Sequence, residues 1–241
     1  MNLADPQSFD GLAEQYDAAV SIERSHDFFL KRLPERRGSV LDIGCGTGLL
    51  AYELSRHFCS VVAVDISEPM LTIARMKRRA ANIEYLYADA NNLTLCSSFD
   101  AIVSHTTFHH LVSIPRTLTA LRAALAPSGC LILVDCIARF GPIIPRWTSS
   151  YYAYAVLQLL PDGTRRGLDA AWTLFRFRCS RQWIAHLKSD RYLTREQFCK
   201  VYGRLLPGAR FTCMRSLMVL FGLHRSRKDN QDTSRGSPIR S

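Results

Sequence analysis

Val40-Leu41-Asp42-Ile43-Gly44-Cys45-Gly46-Thr47-Gly48 decides the fold: a short apolar strand runs straight into a glycine turn, and an apolar-periodic helix begins at Leu49. Asp65 closes the next strand-like run, 65 − 44 = 21 residues after Gly44. A strand, a glycine turn, a helix and an acid about 20 residues on form a nucleotide-binding geometry. Glycines at 44, 46 and 48 remove Cβ atoms, so the backbone turns tightly and touches a ligand, while the following helix offers free N–H groups to a negative group. Asp65 is expected to accept hydrogen bonds from two ribose hydroxyls. A dinucleotide loop requires G-x-G-x-x-G, but the third glycine position is Leu49, so the pattern is G-x-G-x-G.

Outward from this loop, strand-like runs alternate with helical patterns. Residues 39–43, 60–64, 83–87, 100–104 and 130–136 read as strands; 49–57, 68–79 and 114–125 read as helices. Ser67 is the expected N-cap of the second helix, with Pro69 at its start, and Pro127-Ser128-Gly129 ends the third. Successive βα units of this length require a parallel sheet covered by helices on both faces. From Ile137 the pattern changes, with prolines at 142, 145 and 161 breaking up an aromatic-rich stretch. Residues 209–214 and 217–222 follow as an antiparallel pair at the sheet edge. Ahead of the first strand, 9–19 and 22–33 read as two helices outside the βα repeat. The expected organisation is a lid (1–38), a Rossmann-like core (39–136), a helical insertion capping the substrate (137–206), the last core strands (207–223) and a disordered basic tail (224–241).

The 241 residues carry Lys+Arg 31 against Asp+Glu 21, a net charge of +10, on a composition that is 47% apolar and 22% charged. Such a chain packs a globular core. Its eight cysteines show no C-x-x-C and no paired Cys/His spacing that builds a zinc site, so no metal is expected and the thiols read as reduced, in a cytoplasmic protein. The start, MNLADPQSFDGLAEQYD, lacks a basic, apolar secretory leader, and no apolar run reaches the ~20 residues of a transmembrane span. The basic clusters at 77–79, 165–166 and 176–181 read first as solvated faces, second as contacts to nucleic acid or to a membrane surface.

With Asp42 two residues before the first glycine, the loop resembles the first motif of class I S-adenosylmethionine-dependent methyltransferases. The resemblance extends over residues 9–221 through Asp65, YADANNL (87–93), FDAIVSHTTFHHL (99–111) and LRAALAPSGCLILVD (121–135). With FDGLAEQYD near the start, the nearest subgroup is the ubiquinone/menaquinone-biosynthesis type, or methyltransferase type 11. The resemblance implies an α/β fold, mostly parallel with an antiparallel C-terminal edge and a helical lid. It implies S-adenosylmethionine as cofactor and S-adenosylhomocysteine as product. Asp42 and the backbone of Gly44, Cys45, Gly46 and Gly48 would hold the methionine moiety and Asp65 the ribose. Ile66 would pack on the adenine, Asp89 accept its amino group, the Ala90 backbone bond its ring, and the Ser104 backbone face the amino-acid end. A helix cap is the plain alternative for Asp89.

Methyl transfer needs alignment, exclusion of water and, for a protonated acceptor, a base. His105, His109 and His110 lie just past the fourth strand, and a neutral imidazole removes a proton near pH 7. His105 and His110 are the candidates taken forward, with packing or capping as the alternative. The resembled family's helix carrying YD folds over the cofactor, so Tyr16 would close the site or touch the methionine carboxylate, with an ordinary aromatic on an amphipathic helix as the alternative. Trp147, Tyr151, Tyr152, Tyr154 and Trp183 are candidates for an acceptor pocket fitting a flat or greasy small molecule, about two of them facing it. Cys45 has no base spaced for it and is not a nucleophile. The rival readings are an RNA (tRNA) methyltransferase of similar core, a binding protein without catalysis, and a nicotinamide oxidoreductase, which Leu49 disfavours.

Overall fold

The computed structural model describes residues 6–23, 25–95, 98–138, 148–190, 192–214 and 217–224. Trp147, Pro142, Pro145 and the basic tail beyond His224 lie outside them. The five sequence-predicted strands form β1 (Ser39–Ile43), β2 (Ser60–Asp65), β3 (Ile83–Tyr87), β4 (Phe99–His105) and β5 (Leu125–Ala138), all parallel and ordered β3-β2-β1-β4-β5. A two-residue strand, β6 (Leu193–Thr194), pairs with the end of β5 through Ile137 and Leu193. β7 (Arg210–Met214) and β8 (Leu217–His224) complete an eight-stranded sheet, β8 antiparallel to β5 and β7 antiparallel to β8. The antiparallel C-terminal edge expected from the sequence is therefore present.

Helices cover both faces, which is why β1 and β4 are buried almost without a break rather than at alternate residues. On one face Leu41, Ile43, Ile102 and Leu133 pack with Phe198 and Tyr202 of α9 (Arg195–Leu205). On the other, Val40, Val103 and Ile132 pack with Phe29, Leu50 and Leu54. α3 (Leu49–Leu54) and α4 (Glu68–Lys77) follow the first two strands, and the Ser67 side chain caps α4 by accepting from Met70 N–H, as its sequence position predicts. The strand order turns back between β1 and β4, so the crevice beyond their carboxyl ends is where an open α/β sheet receives its ligand.

Some boundaries differ from the sequence reading. The first expected helix is a 3₁₀ segment, Pro6–Leu12, followed by α1 (Ala13–Glu23); the second shrinks to α2 (Asp27–Leu30). His26 is buried beside Phe29 and His105, so the chain there packs onto the sheet instead of continuing a helix. β5 starts at Leu125, ahead of the Pro-Ser-Gly turn, because Ser128 takes φ 65° and a register shift against β4 absorbs the irregularity. Pro161 lies inside α6 (Thr148–Arg166) rather than ending it. α6, α7 (Leu168–Arg178) and α8 (Arg181–Ser189) are the helical insertion.

α1 is wedged between the insertion and α4. Asp17 pairs with Lys77 (2.8 Å) and with buried Arg78 (2.6 Å), while Arg178 bridges Asp162 of α6 and Glu23 of α1. Burial alone would raise the Asp17 carboxyl, but Lys77, Thr47 and Arg78 together bring it below its ordinary value. Asp17→Asn is expected to destabilise the fold by about 3–5 kcal/mol at pH 7, because it leaves the buried Arg78 without its anion. A carboxyl with a depressed folded pKa contributes its stability above the unfolded value of about 3.9, and that stability is lost as pH falls through the folded value. Urea unfolding of both proteins from pH 7 to pH 3 should show the gap narrowing below about pH 4; a constant gap would mean that Asp17 acts by shape and not by charge.

Candidate active site

A cavity of about 340 Å³ opens where the strand order reverses. Its walls come from the glycine loop, the ends of β2 and β4, the 3₁₀ turn at Ala90–Asn92, and the N-terminal segment through Phe9, Tyr16 and Val20. Of the sequence-derived residues, Asp42, Gly44, Cys45, Gly46, Asp65, Ile66, Asp89, Ala90, His105, His110 and Tyr16 all line it. Gly48 and Ser104 do not. Ser104 is buried in β4, where its hydroxyl donates to the Ile43 carbonyl (2.8 Å) and ties β4 to β1.

The three loop glycines differ in what requires them. A Cβ on Gly44 would strike the Thr107 side chain, and one on Gly48 would come within 2.7 Å of the Tyr85 hydroxyl and 3.0 Å of Ala74. Those two glycines serve packing beneath the loop. Gly46, at φ 53°, has only a Tyr16 ring carbon near its Cβ direction, at 3.9 Å, and its open side is the cavity. It is the position where a ligand can lie against bare backbone.

Asp65 holds this loop from the end of β2. Its carboxylate accepts from Gly46 N–H (2.7 Å) and from Ser67 N–H (2.9 Å), each oxygen retaining a further acceptor lone pair. Burial pushes the carboxyl above its ordinary value, against the Ser67, Gly46 and Ile66 N–H groups that favour the anion. Asp89 caps the 3₁₀ turn, accepting from Asn91 N–H and from the side-chain amides of Asn91 and Asn92, which is the helix-cap alternative realised on the cavity wall. The Cys45 thiol is buried beside Asp65 and Asp42 and is pushed well above its ordinary pKa, so it stays a thiol. That chemistry suits a small side chain under the turn and not a nucleophile.

His105 sits at the carboxyl end of β4 with its ring 5.7 Å from His26 and 5.4 Å from Phe29. Thr106 follows in the left-handed region at φ 58°, a sparsely populated conformation for a residue that is not glycine. His110 packs against Phe9 and His186, and burial, followed by the neighbouring His109 and His186, pushes its pKa down to about 2. It is therefore a neutral imidazole at any working pH. Tyr16 is nearly buried over Gly46, in edge contact with Phe9 and Phe177 and in tilted contact with Trp183.

The aromatic pocket expected from the insertion is not what forms this wall. Tyr152 and Tyr154 are exposed on α6, and Trp183 packs on Phe177 and His186; none of the described candidates, Tyr151 included, lines the cavity. Phe9, Val20, His26, Thr107 and Leu111 occupy that place instead. Sequence reasoning missed His26 because it reaches the cavity through a tertiary contact with no local motif to mark it; Phe9 opens the FDGLAEQYD segment, but its place on the cavity wall is set by tertiary packing.

Comparison with known proteins bears on the same half of the chain. Residues 40–129 match a family model described as a methyltransferase domain. An uncharacterized methyltransferase of Mycobacterium tuberculosis strain H37Rv is 41% identical over 99 residues, which are 41% of this chain and 50% of that protein. A malonyl-[acyl-carrier protein] O-methyltransferase of Bacillus cereus is 30% identical over 132 residues, 52% of this chain and 49% of that one. The chain thus spans about half the length of the curated relatives it matches. Among solved structures, the DhpI–SAH complex superposes with a TM-score of 0.60 at 18% identity, covering 91% of this chain and 95% of that one. A SAM-dependent methyltransferase from Aquifex aeolicus gives 0.54 at 16% identity, covering 90% and 97%. These likenesses carry the fold, a mostly parallel Rossmann-like sheet, across nearly the whole chain, and the sequence matches carry the loop, the Asp65 strand and the two strands after it: residues 40–129 are similar to a methyltransferase domain.

Proposed function

We propose that this chain is an S-adenosylmethionine-dependent methyltransferase acting on a small-molecule acceptor. The observation that carries the reading is the bare backbone of Gly46 facing a cavity whose rim holds Asp65 and Asp89. These residues fit the cofactor: Asp65 has acceptor capacity left for ribose hydroxyls, Ile66 and Ala90 line the cavity where a flat ring would lie, and Asp42, also on the cavity wall, would take the amino-acid end. S-adenosylmethionine would supply a methyl group on a sulfonium, a centre that reacts in line with a nucleophile. The chain's own part is to align and to exclude water. Tyr16 closes over Gly46, and Phe9 and Val20 shut the cavity on the side of α1. His105 is the group placed to take a proton from the acceptor. His110, held neutral by burial, is a hydrogen-bonding or ligating group on the acceptor wall more than a base.

A small acceptor suits an enclosed cavity lined by side chains of the lid. The ubiquinone-type subgroup, suggested by FDGLAEQYD, makes an aromatic or apolar acceptor the first class to assay. The net charge of +10 keeps a tRNA substrate as the second reading, and a peripheral membrane contact fits the exposed Leu157, Leu160, Leu168 and Trp172 beside Arg165 and Arg166. No described helix is long and apolar enough to cross a membrane. We place the protein in the cytoplasm and keep the lid, core, insertion and edge-strand divisions of the sequence reading as its functional organisation.

Titration calorimetry with S-adenosylmethionine, S-adenosylhomocysteine and NAD tests the cofactor directly; binding of NAD alone would overturn the reading. Asp65→Ala is expected to weaken S-adenosylmethionine binding more than tenfold, since charge-assisted bonds of roughly 1.5–3 kcal/mol are lost and the Gly46 N–H loses its anchor. An unchanged affinity in a folded variant would mean that the ribose lies elsewhere.

A further inference from the structure

A second constellation lies at the acceptor end of the cavity, where β5, the 3₁₀ turn Phe108–His110 and the end of α8 meet. Asp190, with a side chain only 1% exposed, is surrounded by imidazoles: His110 Nδ1 at 3.6 Å, His186 Nε2 at 3.5 Å and His109 Nε2 at 4.0 Å. These separations exceed those of ordinary N–H···O hydrogen bonds, 2.7–3.2 Å. They approach the spacing of about 3.3 Å between ligands that share a tetrahedral ion at metal–nitrogen distances of about 2.0–2.1 Å. Donor atoms of His109, His110 and Asp190 lie within 4.8 Å of one another.

Behind His109 stands Asp135 of β5, its Oδ1 at 2.6 Å from His109 Nδ1 and also accepting from Cys136 N–H. A carboxylate on one imidazole nitrogen fixes the proton there and turns the other nitrogen into a lone-pair donor, the arrangement that orients metal-bound histidines from the second layer. Here the nitrogen so prepared, Nε2, is the one that faces Asp190. The Tyr192 hydroxyl donates to Asp190 Oδ2 at 2.5 Å and fixes that carboxylate in turn.

Charge balance points the same way. Asp135 and Asp190 are two buried carboxylates, and among the described residues the ion-pair partners found for them are histidines. Two buried carboxylates set among imidazoles are stabilised by a cation carrying two charges. A donor set of two imidazoles and a carboxylate suits zinc, ferrous iron, cobalt or nickel, whereas magnesium and calcium take oxygen sets.

We propose that His109, His110 and Asp190 bind a divalent transition-metal ion of the zinc class, with Asp135 and Tyr192 as positioning residues. The binding site stands on this geometry alone. Its use rests on the methyltransferase reading: three protein ligands leave a tetrahedral ion one open position, and His110 lines the cavity. An acceptor oxygen, such as a phenol, enol or hydroxy acid, is the ligand that position would take and hold as its anion.

The test uses the full chain, stripped with a chelator and titrated with cobalt(II) as a spectroscopic probe, then with zinc in competition. One equivalent should bind with the visible absorption of a nitrogen/oxygen site and without a thiolate charge-transfer band. Asp190→Asn, nearly isosteric, should weaken cobalt binding at least 100-fold with its circular dichroism unchanged, and Asp135→Asn should weaken it about 10–100-fold. His110→Ala adds a second ligand test if it folds. Substoichiometric binding, a thiolate band, or wild-type affinity in Asp190→Asn would each overturn the site. S-adenosylmethionine calorimetry on the same samples keeps the two readings apart: cobalt bound without cofactor sinks the methyltransferase function only, and cofactor bound without cobalt sinks the metal site only.

Discussion

Gly46→Val is expected to weaken S-adenosylmethionine binding at least 100-fold in calorimetry, while the protein still melts cooperatively. The branched side chain would project from the one loop glycine whose open side is the cavity, 3.9 Å from the Tyr16 ring, and so occupy the space between backbone and ligand. Its left-handed φ of 53° adds strain of about 1–2 kcal/mol for a residue with a Cβ, small against a folding stability of about 5–15 kcal/mol. Gly48→Ala is the contrasting variant. Its methyl would meet the Tyr85 hydroxyl and Ala74, so it should lower the melting temperature first and affinity only as a result. Equal behaviour of the two variants would show that the loop is a packing turn and no cradle.

His105→Ala is expected to lower the maximal rate by about 10²–10⁴-fold with cofactor affinity little changed, the loss typical of a positioned general base. In the wild type the rate should rise with pH as the base loses its proton, and the variant should lose that limb. His110, at a pKa of about 2, has too little proton affinity to give such a profile. If His105→Ala keeps both its rate and its pH dependence, alignment of an already nucleophilic acceptor suffices, and His105 belongs to the packing around His26 and Phe29.

What was legible in the sequence was local. The strands β1 to β5, the Ser67 cap and the glycine loop announce themselves through residues that are neighbours in the chain, because buried parallel strands are apolar throughout and a cap needs its hydroxyl at one fixed position. Asp65 and Asp89 reach the cavity because each ends a strand of that repeat or follows one. Helix ends were less legible: residues 22–33 have a helical pattern, yet burial of His26 beside His105 redirects the chain, an outcome settled between residues nearly 80 positions apart. The insertion misled most. Its tyrosines at 152 and 154 look like pocket material, but the face of α6 that carries them is turned to solvent. The acidic partners of the histidines, Asp135 and Asp190, lie 24 residues or more beyond HHL and carry no spacing rule that would single them out.

The parallel pairing of β6 with the last residues of β5 has a consequence for how this protein can diverge. Ile137 and Leu193 are register partners, so the excursion that contains α6, α7 and α8 leaves the sheet and returns to it at one place. To the rest of the fold it is a closed loop. Loop-closure entropy grows only with the logarithm of length, so doubling such an excursion changes the free energy by about 0.6 kcal/mol. Helices can therefore be lengthened, replaced or grafted there at little cost to the part of the molecule that holds the glycine turn and Asp65.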